Sequence, residues 1–147
     1  MVADVSAVGL AIRLRASITF PMGISLTSFP EDGDNGISGN TDIADNASGL
    51  NGDLITWKKV NGIEYNINVI PNTVDENLMN KLMQANRTSK NRRGRRDIIT
   101  ITEINPTSGK TRTFKNGVLK SGPVGDQFGG DGRIKNKQYT FVFEDVV

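Results

Sequence analysis

Asn61-Gly62, set between two segments that alternate apolar and polar residues, is the feature that most narrows what this chain can fold into. An Asn-Gly pair supplies the two positive-φ positions of a type I′ turn, so it predicts an antiparallel hairpin over residues 53–70. Pairing outward from Val60 and Ile63 sets Lys58 opposite Tyr65, Thr56 opposite Ile67 and Leu54 opposite Val69. Leu54, Val60, Ile63, Tyr65, Ile67 and Val69 then share a core face. The other face sets Lys59 against Glu64 and also carries Trp57 and Ile55, two apolar side chains on a nominally wet surface, which points to a partner.

The same strand-and-turn texture runs through most of the chain. Residues 5–29 are rich in β-branched residues, Ser and Thr, and Pro21 with Gly23 divides them into two expected strands. Residues 97–104 read as a strand, 105–109 as a turn, 110–114 as a strand, and Asn116-Gly117 as a second tight turn into 118–121. Gly122 to Gly132 is irregular, and the final strand places Tyr139, Phe141 and Phe143 on one face, which marks it as central in a sheet. One helix interrupts this. Thr73 caps it, Glu76 completes a capping box, Leu78, Met79, Leu82 and Met83 form its apolar stripe, and it ends near Arg87. The expected fold is mainly β with one helix (α+β), an antiparallel barrel or sandwich with the helix packed at one edge, in a single domain over residues 1–147.

Catalysis is hard to build from this chain. It has no cysteine and no histidine, which removes disulfides, thiolate and imidazole metal sites, cysteine nucleophiles and every His-dependent triad. No frame of the Asp-rich stretch fits a calcium loop, and the glycine-rich segment lacks the Gly-Lys-Ser/Thr ending of a phosphate loop. The Asn46 and Asn86 sequons stand idle without a secretion signal, and the early apolar stretch is broken by Arg13 and Arg15, so a cytoplasmic site of synthesis is expected. No enzyme activity, cofactor, metal or membrane contact is expected.

Two charged segments stand out instead. Residues 30–52, with Asp53 beside them, carry Glu31, Asp32, Asp34, Asp42, Asp45 and Asp53 without a basic residue, and a connection of that length signals function or disorder. Arg87, Lys90, Arg92, Arg93, Arg95 and Arg96 crowd into ten positions without an interleaved aromatic. Opposite charges separated in sequence suit head-to-tail assembly of copies, with the acidic loop docking on a neighbour partly through the basic loop. A solvated loop and a nucleic-acid grip are the competing readings of the basic run.

In the order of its elements the chain resembles the tail tube proteins of contractile-tailed phages. The resemblance is carried by SLTSFPEDGD at residues 25–34, YNINV at 65–69, the helix over 74–87 and GRIKNKQYTFVFE at 132–144. It implies a β-barrel subunit that forms sixfold rings, stacked into a hollow inner tube through which DNA passes during ejection, in a virion tail assembled in the host cytoplasm. It also implies sheath, baseplate or initiator, and terminator proteins as partners besides the chain itself, with residues 30–52 reaching a neighbouring subunit or ring and the basic loop facing a sheath or a neighbour. The fold resemblance extends to tubes of contractile injection and secretion systems, and a nucleic-acid-binding β-barrel is the alternative from another class.

Overall fold

The computed structural model describes residues 2–147. Among them are β1 (Ala11–Ala16), β2 (Phe20–Leu26), β3 (Gly36–Ile37), β4 (Ala44–Ser48), β5 (Leu54–Lys58), β6 (Ile63–Val69), α1 (Val74–Asn86), β7 (Ile99–Ile104), β8 (Thr111–Ser121), β9 (Lys137–Phe143) and β10 (Asp145–Val146). An antiparallel sheet runs in the order β2-β1-β7-β8-β9-β6-β3, with β10 folded back on β8, and β4 and β5 form a separate two-stranded ribbon. The expected mainly β, antiparallel architecture with one helix is met. The strand path is open, since β2 and β3 end it without pairing to each other.

β8 explains how one sheet makes a two-sided core. Its first half pairs β7 through Phe114 and Thr113, and its second half pairs β9 through Val118 and Leu119. The change of partner falls at Asn116-Gly117, where Asn116 takes φ 56°, a left-handed conformation that Asn tolerates. The expected tight turn at this dipeptide is therefore a bend inside one long strand. It folds the sheet over so that Ile12 and Leu14 of β1, Ile99 and Ile101 of β7 and Phe114 of β8 meet Tyr65 and Ile67 of β6 and Phe141 and Phe143 of β9 in one buried cluster. Alternation does the rest, because period-2 strands put these residues on one face. The terminal aromatic strand is central as expected, between β8 and β6. The Tyr65 and Phe114 rings lie 4.8 Å apart, and the Tyr65 hydroxyl donates to Glu103 of β7 at 2.6 Å, tying the two halves together.

The hairpin over residues 53–70 does not form. β5 pairs β4, from Ala44 opposite Lys58 to Ser48 opposite Leu54, while β6 is hydrogen-bonded on both edges by β9 and β3. Neither Asn61 nor Gly62 has positive φ. With both edges of β6 satisfied by long-range partners, the local turn has nothing to join, so Leu54 and Val60 are exposed while Tyr65, Ile67 and Val69 are buried. Lys59 turns to Asp42 and Asp45, and Glu64 to Lys120. Pro21 and Gly23, expected between strands, lie inside β2, an edge strand where a missing N–H costs no ladder bond.

The helix follows its local code at Thr73 and along its apolar stripe, but the Glu76 carboxylate expected in the capping box goes to Lys137 instead. The Thr73 hydroxyl accepts from the Glu76 N–H at 3.3 Å, and Met79 and Leu82 are fully buried. Asp75 turns away to accept from the Thr27 and Ser28 N–H groups at 2.8 and 2.7 Å, pinning the start of α1 to the end of β2. No helix among the described residues is long and apolar enough to cross a membrane.

Candidate functional site

No strand residue of the β4–β5 ribbon is buried: all ten are exposed. Its register divides it into two faces. Cross-strand partners share a face, so Ala47 with Ile55 and Asp45 with Trp57 lie on one side, joined by Ile43 beside Lys59. Ala44, Asn46, Ser48, Thr56, Lys58 and Leu54 form the other, polar side. Ile43 is 70% exposed, Ile55 54% and Trp57 48%, so an apolar sheet face stands in water. A two-stranded ribbon alone is marginal, and exposed Ile43, Ile55 and Trp57 on one face of it, beside the Lys59–Asp45 ion pair, mark a contact surface. The sequence already set Trp57 and Ile55 apart on a wet face; the strand that accompanies them is β4, inside the expected acidic loop.

That loop is thus only partly irregular, since it contains β3 and β4. Its acids divide as well. Asp42 and Asp45 both reach Lys59, at 3.8 and 3.7 Å, and Asp32 accepts from Asn136 at 2.6 Å, whereas Glu31, Asp34 and Asp53 make no ion pair among the described residues. Glu31 and Asp34 border a groove of about 940 Å³ whose walls include Leu10, Phe29, Pro30 and Ile37.

The basic loop is built, not slack. A helix ends with four carbonyls lacking intrahelical partners. Here the Asn86 side chain donates to Leu82 O at 2.9 Å, the Arg87 N–H to Met83 O at 3.0 Å, the Arg92 guanidinium to Gln84 O and the Arg95 N–H to Ala85 O at 2.7 Å. The last turn of α1 holds no basic residue of its own, so the loop folds back and supplies positive charge to the negative helix end. Gly94 is required by this close approach, because a Cβ there would lie on the Asn86 carbonyl. Lys90, Arg93, Arg95 and Arg96 remain exposed and free of ion pairs among the described residues.

Asp97 anchors the loop. Its carboxylate accepts from the Ile18 N–H at 2.8 Å, the Thr19 N–H at 2.9 Å, the Thr19 hydroxyl at 2.6 Å and Asn86 Nδ2 at 2.8 Å. Burial alone would push this carboxyl up, but the donors from Thr19, Asn86 and Ile18 outweigh it and hold it below the ordinary 3.8. A depressed folded-state value contributes stability that is present above the unfolded value and lost as pH falls through the folded one. Asp97→Ala should therefore cost on the order of 3 kcal/mol near neutrality. In urea titrations followed by circular dichroism, the gap to the wild type should close only below about pH 4.

No group of three or more acidic side chains is placed to hold a metal among the described residues. The structure brings Asp42 and Asp45 together around Lys59 and gathers Arg87, Arg92 and Arg95 at the helix end, but it joins no acid of residues 31–53 to the basic loop.

A family model described as "Tail fiber protein gp32" matches residues 3–147. The fold is shared with a chain of the anti-feeding prophage baseplate solved with sixfold symmetry, at a TM-score of 0.57 and 12% identity over 100% of this chain and 96% of that one. It is also shared with a chain of the sheath/tube terminator of the extracellular contractile injection system PVC in its extended state, at 0.53 and 13% identity over 99% and 96%. No curated protein matches in sequence.

Proposed function

We propose that this chain, which belongs to the tail fiber protein gp32 family, is a structural subunit of a contractile phage tail or related injection particle that assembles with copies of itself into stacked, sixfold rings of an inner tube. The observation that carries self-assembly is the β4–β5 ribbon, an ordered arm whose Ile43, Ala47, Ile55 and Trp57 stay exposed on one face. An arm of this kind gains its stability from a neighbouring subunit, and the side-by-side joining of free sheet edges at β2 and β3 gives a route to a continuous wall. A place in a contractile particle, in preference to the fibre in the family's name, draws support from the fold shared with the baseplate and terminator chains, while the tube reading draws on the order of elements in the sequence. In a tail, baseplate, sheath and terminator proteins would be its other partners, the whole chain acting as one assembling unit and DNA crossing the lumen. The acidic and basic loops serve contacts between copies or with a sheath, and no step of this role requires bond-making chemistry.

Trp57 is the sole tryptophan and reports on the ribbon directly. On raising protein concentration, its emission should shift to shorter wavelength as negative-stain microscopy shows rings or hollow filaments of uniform width. Trp57→Ser should raise the concentration for half-assembly at least ~10-fold while leaving the monomer's melting temperature nearly unchanged, because an exposed anchor matters to the contact and not to the core. A chain that stays monomeric at every concentration and instead binds duplex DNA in a salt-dependent manner would overturn the proposal in favour of a nucleic-acid-binding role for the basic loop.

A further inference from the structure

Three elements measure the distance between the two charged features. β1 begins beside Leu10 at the groove and ends at Ala16, next to the turn that Asp97 holds. β2 runs back from that turn to Leu26, next to Thr27 on the groove wall. α1 starts where Asp75 grips Thr27 and Ser28 and ends under the basic loop. Its 13 residues span roughly 20 Å at 1.5 Å per residue, and the six residues of β1 give about the same. The acid-rimmed groove and the basic loop therefore sit at opposite ends of the subunit, too far apart to meet in one chain.

Resting on the self-assembly reading above, we infer that the basic loop of one copy docks in the groove of the next, head to tail, so that stacking has a built-in direction. The fit is chemical as well as geometric. The groove has apolar walls at Leu10, Phe29 and Ile37 and free carboxylates at Glu31 and Asp34. Arginine suits such a place, since its stem covers apolar surface while its planar fork bonds a carboxylate. The loop presents Arg93, Arg95 and Arg96 on a backbone already fixed by the helix end and Asp97, which lowers the ordering cost of docking. A contact between two different patches at opposite ends can repeat without closing on itself, as a stack requires. Nucleic acid is the weaker occupant of the loop, because residues 87–96 contain no aromatic side chain for base stacking.

Charge reversal in two variants tests this. Arg93→Glu with Arg95→Glu, and separately Glu31→Arg with Asp34→Arg, should each raise the concentration for half-assembly at least tenfold in low salt, read by sedimentation, with unchanged circular dichroism. Mixing the two variants should restore assembly, since the reversed loop of one then faces the reversed groove of the other, and the restoration should fade as salt rises toward about 1 M. If both variants assemble like the wild type while Trp57→Ser does not, this docking is overturned and self-assembly stands. If the loop variant loses only duplex DNA binding, the docking is likewise overturned. If the wild type itself never assembles, the self-assembly reading falls and this inference falls with it.

Discussion

Lys137→Met should destabilise the chain by about 3–5 kcal/mol, the cost of leaving a buried charge without its partner. Lys137 opens β9 at 6% exposure, and its ammonium donates to Glu76 on α1, which is 7% exposed, and to Asp126 of the glycine-rich segment at 2.7 Å. Burial alone would lower the Lys137 value, but Asp126 and Glu76 outweigh it and raise it above the ordinary 10.5. A raised folded-state value contributes stability that is fully present below the unfolded value and lost only as pH rises through the folded one, so the effect holds throughout the neutral range. The three partners come from α1, β9 and the loop between β8 and β9, which makes this ion cluster one of the links that fix helix and loop to the sheet. Methionine keeps much of the stem's volume, so the loss reads the orphaned Glu76 carboxylate more than a cavity. Adding Glu76→Leu should recover most of it in equilibrium urea unfolding, because an apolar pair of similar volume replaces a buried ion pair at little net cost. Asp126→Ala, whose side chain is 47% exposed, should cost no more than about 1 kcal/mol.

Legibility in the sequence follows the range of the interaction. α1 was readable from Thr73, Glu76 and its apolar stripe because a cap is written within a few residues, and the structure has the Thr73 bond in place. Alternation identified β9 and its buried Tyr139, Phe141 and Phe143 for the same reason. Pairing partners were not readable. Asn61-Gly62 has the local chemistry of a turn, yet β6 is claimed by β9 and β3, and only the finished sheet reveals that competition. The glutamate of the capping box likewise left its local role for Lys137, 61 positions away. Of the candidate site, the charge runs and the misplaced Trp57 and Ile55 were legible as composition. The loop's service to the helix end, through Arg92 on Gln84 O and the Arg95 N–H on Ala85 O, was not, because a basic run looks the same whether it is solvated or folded back. Asp97 carried no signal at all: its donors at Ile18 and Thr19 lie 79 and 78 positions earlier.

Gly117→Val should disrupt the sheet at its bend, costing about 3 kcal/mol or more. The reason is contact, not backbone freedom, since Gly117 has no positive φ. A Cβ at this position would stand against the edge of the Phe143 ring, 3.0 Å from its Cγ and closer still to Cδ1 and Cε1. Phe143 has little room to retreat: its ring packs at 5.6 Å from Phe114 and 6.3 Å from Tyr65, all three fully buried or nearly so. Close-packed interiors resist such insertions because neighbours must leave their rotamer wells together. The site is also where β8 exchanges β7 for β9, so displacing Phe143 loosens the register that joins the two halves of the sheet. Gly117→Ala should show the same effect at smaller size, and Phe143→Leu added to Gly117→Ala should relieve part of it by freeing space at the clash. Asn116→Ala tests the other half of the bend, losing a residue suited to φ 56° and its 3.2 Å bond to Glu144, at a cost of about 1 kcal/mol. Thermal melts that ranked Asn116→Ala above Gly117→Val in damage would mean that the bend is held by its left-handed residue and not by the aromatic cluster beneath it.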